Sequence, residues 1–286
     1  MRQGNVRRRT LLVIAALTAV SGAVVWQYRR DIFDTRLTVR TYCVETDKVT
    51  APVRLAVLSD LHSCAYGAGQ TELMNVLEAL APQPDALLLA GDIVDDELPE
   101  ENAWSVVSQI SESYRCFYVT GNHEWWTGEA ERICCQMEGY GVSVLRGKCH
   151  LVSVEKGDAV QILQICGIDD PDFLNSREQL AQAGGQIDRD LFSVLLAHRP
   201  EGFRSYLEYP FDLVVSGHAH GGQWRIPGLV NGFYAPSQGF FPPYAGGLYR
   251  IGEAHLLVSR GLARESTRIP RIFNPPEIVV VDILPR

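Results

Sequence analysis

Beyond Arg30 the chain is short of positive charge. Its first 30 residues hold six arginines and no acid, and the remainder carries 20 basic against 34 acidic residues. A net charge near −14 there excludes a general nucleic-acid binder, which needs basic surface to release counterions. No low-complexity run or internal repeat is present, so one globular domain behind an N-terminal appendage is the economical organisation for 286 residues, 46% of them hydrophobic. No C-x-x-C occurs among Cys43, Cys64, Cys116, Cys134, Cys135, Cys149 and Cys166. Cys116 and Cys166 sit in apolar, strand-like runs and read as buried free thiols. The odd count leaves room for a disulfide or two if the domain is exported.

Long apolar runs are confined to one place. Arg2, Arg7, Arg8 and Arg9 precede an uncharged stretch from Thr10 to Tyr28, which Arg29 and Arg30 close. Nineteen uncharged residues approach the ~20 that span a bilayer as a helix. Residues 1–30 are therefore expected to be a signal anchor, with a cleaved signal peptide as the rival and a secreted product if cleavage occurs. More arginines before the run than after it place the N-terminus inside and the domain of residues 31–286 outside the cytoplasm at the cell membrane.

What the chain does have is clustered histidine, aspartate and asparagine. The clusters read Asp60-Leu61-His62, Gly91-Asp92, Gly121-Asn122-His123-Glu124 and Gly217-His218-Ala219-His220, with His198 alone between the last two. Carboxylate oxygens mixed with neutral imidazoles suit Mn²⁺, Fe or Zn²⁺ rather than Ca²⁺ or a closed thiolate zinc site. There are enough ligands for two ions, and paired ions are a device for cleaving phosphate esters. His150 and His255 have no such company and read as ordinary residues. Asp95 reads as a supporting or loop carboxylate, and Glu124 as support for the ligands.

Each cluster ends a short apolar run: Val53–Leu58, Ala86–Ala90, Cys116–Val119, Phe192–Ala197 and Leu213–Val215. Helix-like segments, Gly69–Leu80 and Glu100–Ser113, separate the first three. That βαβαβ alternation predicts an α/β sheet whose strand ends share one edge, where ligands of open α/β sheets bind. Short strands around Val142–Leu145, His150–Glu155 and Ala159–Cys166, then Gly247–Ile251, Ala254–Val258 and Glu277–Ile283, predict a second sheet packed on the first. Residues Trp224–Gly247 read as a long loop rich in Gly, Pro and aromatics.

In this order the clusters resemble the calcineurin-like metallophosphoesterase superfamily: D-x-H, G-D, G-N-H-[DE], a lone His, then G-H-x-H, covering roughly Leu55 to Gln223. The resemblance implies a four-layer α/β/β/α sandwich around a two-metal centre. It implies that Asp60, His62 and His220 hold one divalent ion, that Asn122, His198 and His218 hold the other, and that Asp92 bridges them. His123 is then the catalytic residue, touching the phosphate or protonating the leaving oxygen, while a metal-bridging hydroxide attacks. Mn²⁺ is the expected ion, with Fe or Zn²⁺ able to take the same set. Protein phosphatases of the superfamily carry an arginine just after their G-D-x-V-D block; here Asp96 follows Gly91–Asp95.

The C-terminal blocks His220-Gly221-Gly222-Gln223, Ser259-Arg260-Gly261-Leu262, Arg268–Arg271 and Pro275-Pro276-Glu277 resemble a bacterial, membrane-associated branch. That branch includes phosphodiesterases and UDP-2,3-diacylglucosamine pyrophosphohydrolases. It implies a phosphodiester or pyrophosphate substrate that is lipid-linked or of the cell envelope. Trp224, Phe233, Tyr234, Phe240, Phe241 and Tyr244 either line an acyl groove or pack on one another. Arg260, Arg264, Arg268 and Arg271 either clamp a pyrophosphate or pair with the domain's acids. A tethered phosphatase or nucleotidase for small soluble phosphates, and a catalytically silent metal-binding scaffold, are the competing readings.

Overall fold

The computed structural model describes residues 29–172, 176–264 and 269–286, with Gly22, Trp26 and Gln27. The expected membrane helix, drawn over Thr10–Tyr28, lies almost wholly outside the described residues. Among those described, no helix is long and apolar enough to cross a membrane.

Two six-stranded sheets carry the domain. In the first, β2 (Val53–Leu58), β3 (Ala86–Ala90), β4 (Cys116–Val119) and the two-residue β5 (Ser143–Val144) run parallel. The last strand of the chain, β14 (Glu277–Pro285), is antiparallel to β2 and pairs in parallel with β1 (Thr38–Thr46) at the edge. In the second sheet, β7 (Ala159–Gly167), β8 (Phe192–Leu196), β9 (Leu213–Ser216) and β13 (Ala254–Val258) run parallel, flanked by antiparallel β6 (Cys149–Lys156) and β12 (Gly247–Ile251).

Why the central strands read as unbroken apolar runs follows from burial on both faces. Leu55, Val57, Leu88, Phe117 and Val119 point between the sheets, against Leu163, Ile165, Val194, Val215 and Leu257 of the second sheet. Their neighbours Ala56, Leu58, Leu87, Leu89 and Tyr118 point the other way. They meet Leu73 and Leu77 of α1 (Thr71–Glu78), Val106, Val107 and Ile110 of α2 (Glu101–Ser113), and Ile133 and Met137 further on. Leu195, Val214 and Leu256 similarly face Leu180, Phe203 and Tyr206 on the far side. Helix, sheet, sheet and helix thus form four layers around three apolar cores.

Two strands expected in the second sheet, β5 and β14, pair in the first instead, at β4 and at β2; the other differences from the sequence reading are local. Strand β1 has no apolar alternation to announce it, because an edge strand needs only its backbone paired. The Trp224–Gly247 stretch contains a small hairpin, β10 (Tyr234–Ala235) with β11 (Gly239–Phe240). Cys166 is not a free thiol but is bonded to Cys149. The β6–β7 register sets these two residues directly opposite each other, a pairing that no spacing in the sequence reveals. Cys116 is free and buried.

Candidate metal centre

All the clusters sit where strands of the two sheets end. Asp60 lies just beyond β2, Asp92 beyond β3, Asn122 beyond β4, His198 beyond β8, and His218 and His220 beyond β9. Backbone bonds past the last paired residues hold these loops together: Asp60 N donates to Gly91 O at 3.0 Å, His62 N to Asp92 O at 2.9 Å, and Gly217 N to His198 O at 3.0 Å. Asp60, His62, Asp92, His218 and His220 all have φ between 47 and 64°. Non-glycine residues in that left-handed region cost of order 1–3 kcal/mol each, and such strain gathers at functional sites.

Two groups of side chains result. Asp60, His62 and His220 bring their ligand atoms within 4.8 Å of one another, and Asp92, His198 and His218 do the same. Asp92 lies between the groups, its Oδ2 3.7 Å from His62 Nε2 and 3.0 Å from His198 Nε2. The other oxygen of each aspartate is tied to the backbone: Asp60 Oδ1 accepts from His218 N at 2.9 Å and Asp92 Oδ1 from His123 N at 2.9 Å. What remains is a set of buried atoms that no well-aligned hydrogen bond satisfies: Asp60 Oδ2, His62 Nε2, Asp92 Oδ2, Asn122 Oδ1, His198 Nε2 and His220 Nδ1. Orphaned buried polar atoms are rare in folded proteins, and a convergent set of N and O donors fits a pair of divalent cations.

Supporting contacts fix the imidazoles. His198 Nδ1 lies 2.7 Å from the Ala90 carbonyl and must donate to it, which turns Nε2 toward the centre. His62 Nδ1 lies 2.8 Å from Asp95 Oδ1. Glu124, buried, accepts four backbone N–H groups: Asp92 and Gly121 on one oxygen, Ile93 and Val94 on the other. Gly121 and Gly217 are required for room. A Cβ at Gly121 would stand 2.2 Å from Asp92 Oδ1, and one at Gly217 2.5 Å from Asp60 Oδ2.

A model of the calcineurin-like phosphoesterases matches residues 53–222, more than half the chain and the stretch that holds every one of these side chains. The chain belongs to that family. It is a metal-dependent phosphoric ester hydrolase. This phosphoesterase is 28% identical over 237 residues to metallophosphoesterase YkuE of Bacillus subtilis, covering 79% of this chain and 77% of that one. It is 27% identical over 242 residues to phosphodiesterase YaeI of Escherichia coli, covering 82% and 83%. It is 26% identical over 267 residues to a zebrafish transmembrane protein with a metallophosphoesterase domain, covering 89% and 57%. The chain spans 62–63% of the length of its Campylobacter and Helicobacter relatives.

Charge in this phosphoesterase site is strongly perturbed. Burial opposes a charged His198, yet Asp92, Asp60 and Asp170 push its pKa up to about 10 in the metal-free protein. Burial, then the charges of His198 and Arg199, drives His218 well below its ordinary value; burial and His62 do the same to His220. His123 is only partly covered. Its Nδ1 lies 2.6 Å from Asp96 Oδ1 and 3.1 Å from Asp95 Oδ1. Burial opposes its charging, but the bond to Asp95 and the Asp92 charge push its pKa up to about 9. Asp96, standing where the phosphatase pattern has arginine, is thus a partner of His123.

Asp60, His62, Asp92, His123, His198, His218 and His220 fall into such groups, and Asn122 is buried with its Oδ1 unpartnered; Arg199 is a neighbour that the sequence reading does not include. It is buried, with Nε 2.8 Å from Asp170 Oδ2 and Nη1 2.9 Å from Ser237 Oγ and 3.4 Å from His218 Nε2. Its place immediately after His198 was the one available signal. His150 and His255 lie away from the centre, His150 against Phe117 and His255 beside Asp212 and Arg250.

Proposed function

We propose that the chain hydrolyses a phosphodiester or diphosphate bond of a lipid-linked or cell-envelope substrate. Asp60, His62 and His220 would hold one cation, Asn122, His198 and His218 the other, with Asp92 shared between them. The observation that carries this reading is the orphaned set of buried donor atoms, one each from six of these seven residues. Two cations held there, Mn²⁺ by expectation with Fe or Zn²⁺ also suited to the donors, would supply an acidified water and neutralise charge on the phosphate.

The protein's own groups do the rest. His123 Nδ1 faces two carboxylates and must carry a proton toward them. The second ring proton, on Nε2, is then the one to give to the leaving oxygen, and the carboxylates stabilise the charged ring until it is given. The ring of Trp126 lies 4.6 Å from that of His123. Asp95 orients His62 and His123 together.

For the substrate, support comes from an apolar cavity of about 240 Å³ that begins three residues past His220. Gln223, Trp224, Phe233, Tyr234, Phe240 and Ile269 line it. Trp224, Tyr234, Phe240 and Ile269 are exposed there, more apolar surface than scattered surface residues explain. The apolar run Thr10–Tyr28 would anchor the chain in a membrane, and the Cys149–Cys166 pair suits an exported domain. The name of the Escherichia coli relative, a phosphodiesterase, favours diesters over monoesters. The test is a panel run on the full chain in detergent with Mn²⁺: bis-p-nitrophenyl phosphate, p-nitrophenyl phosphate, lipid diphosphates and nucleotides. Diester cleavage with lipids preferred to nucleotides supports the reading; a preference for p-nitrophenyl phosphate or nucleotides replaces it with a tethered phosphatase.

A further inference from the structure

The four C-terminal arginines have different surroundings. Arg260 donates through Nη1 to Glu277 Oε2 at 2.8 Å, and Arg264 donates to both oxygens of Glu72 at 3.0 and 2.6 Å. Arg268 lies outside the described residues. Arg271 is different: only 8% exposed, it has no hydrogen-bond partner on Nε, Nη1 or Nη2. A guanidinium cannot discharge itself by losing a proton at neutral pH, so a buried unpaired one costs stability until an anion reaches it.

Among the described residues, no group is free to be that anion. The groups among the described residues whose charge acts on it are Tyr66, Asp60, Glu277 and the thiol of Cys64. Tyr66 donates its hydroxyl proton to the Leu262 carbonyl, and Glu277 is engaged by Arg260 through both its backbone N–H and its side chain. Asp60 accepts from His218 N through one oxygen and offers the other to the ligand cluster. The segment that carries Arg271 is strapped to the one that carries His220: Ile272 N donates to Gln223 O at 3.1 Å, and Asn274 Nδ2 to His220 O at 2.8 Å. The positive charge of Arg271 therefore stands beside the Asp60–His220 half of the centre, where its field is felt by His220.

We propose that Arg271 receives a second phosphoryl group of the substrate, making the site selective for diphosphate esters. This rests on the two-cation reading of the neighbouring cluster. One phosphoryl group lies at the cations and the other takes the planar fork of Arg271, whose donors match phosphate oxygens two at a time. In the reaction, water adds to the phosphorus at the cations, the P–O bond to the bridging oxygen breaks, and that oxygen leaves with the second phosphoryl group and takes up a proton. One water is consumed and two phosphomonoesters result.

The experiment uses the full chain in detergent with Mn²⁺ in excess, and compares binding of methylenediphosphonate, which cannot be hydrolysed at its bridge, with binding of inorganic phosphate. The wild-type protein should bind the diphosphonate about 10- to 100-fold more tightly, the range for hydrogen bonds to a buried charge. Arg271→Met should erase most of that ratio, and Arg271→Lys, which keeps the charge without the fork, should retain part of it. The thermal midpoint of ligand-free Arg271→Met should also rise, because an unpaired buried charge has been removed. A ratio unchanged in Arg271→Met overturns the proposal, as does a ligand-free midpoint lowered in both variants, which would make Arg271 a structural residue. Bis-p-nitrophenyl phosphate, with a single phosphoryl group, separates the two levels. If wild-type protein cleaves it but shows no diphosphonate preference, the Arg271 assignment fails alone. If two bound Mn²⁺ ions give no cleavage, the underlying reading fails.

Discussion

Glu124→Gln changes a buried side chain by little more than one oxygen, yet it should be among the most damaging substitutions in the chain. Each carboxylate oxygen accepts two backbone N–H groups, from Asp92 and Gly121 on one side and from Ile93 and Val94 on the other, at 2.7–3.0 Å. Burial and then the Asp92 charge raise the pKa of Glu124, while the Val94 and Gly121 N–H groups lower it. Four backbone donors converge on the carboxyl, and they are all satisfied only when both of its oxygens accept, so the ionised form is the one this loop is built on. A glutamine must turn its NH₂ toward one pair, leaving two buried N–H groups unpaired whichever way it flips. At about 1–3 kcal/mol for each orphaned group the loss is about 2–6 kcal/mol, a large share of the 5–15 kcal/mol of a typical fold. Urea denaturation of the metal-stripped protein reads this directly, as a lowered midpoint at unchanged slope. A loss under about 0.5 kcal/mol would mean that the carboxyl is protonated, and would refute the argument.

Other consequences are open to simple tests. Gly121→Ala should weaken Mn²⁺ binding by about 10- to 100-fold in a metal titration, because its Cβ would stand 2.2 Å from Asp92 Oδ1; the extended backbone there, at φ −105°, accepts alanine, so unchanged affinity would contradict the geometry. His123 has a folded pKa of about 9, above its ordinary 6.5, so its stabilisation is complete below pH 6.5 and is lost as pH rises through about 9. Metal-stripped wild type should therefore lose more stability between pH 6.5 and 9 than His123→Gln does in parallel denaturation curves. Iodoacetamide at pH 8 should label Cys43 and Cys135 in the native protein. Cys64, Cys116 and Cys134 should label only after unfolding, since they are buried and burial holds the Cys116 and Cys134 thiols at about 12. Peptide mass spectrometry without reduction should find Cys149 joined to Cys166.

Much of this architecture was legible because its signals are local. A strand buried on both faces must be apolar throughout, and the residue after it must turn, so Val53–Leu58 followed by Asp60 and Ala86–Ala90 followed by Asp92 announce both fold and site. Glu124 could be read as support because it follows Asn122 and His123 in the same turn. What escaped depends on register and on partners distant in sequence. The Cys149–Cys166 bond exists because β6 and β7 pair one way and not another. Strand β1 is defined by its pairing with β14, more than 200 residues away. The sequence presents Arg260, Arg264 and Arg271 as equivalents; only the positions of Glu277 and Glu72 separate two neutralised arginines from one left without a partner.

The most direct measurement is the number of Mn²⁺ ions bound per chain, in wild-type protein and in Asp92→Asn, taken with bis-p-nitrophenyl phosphate hydrolysis on the same samples. Asp92 Oδ2 lies within 3.7 Å of His62 Nε2 and 3.0 Å of His198 Nε2, between the two groups, so both should depend on it. The account predicts two ions in the wild type, fewer than two in Asp92→Asn, and a fall in hydrolysis of about 100-fold or more, a loss beyond that of a merely supporting residue. One ion in the wild type, or full Mn²⁺-dependent hydrolysis in Asp92→Asn, would contradict it.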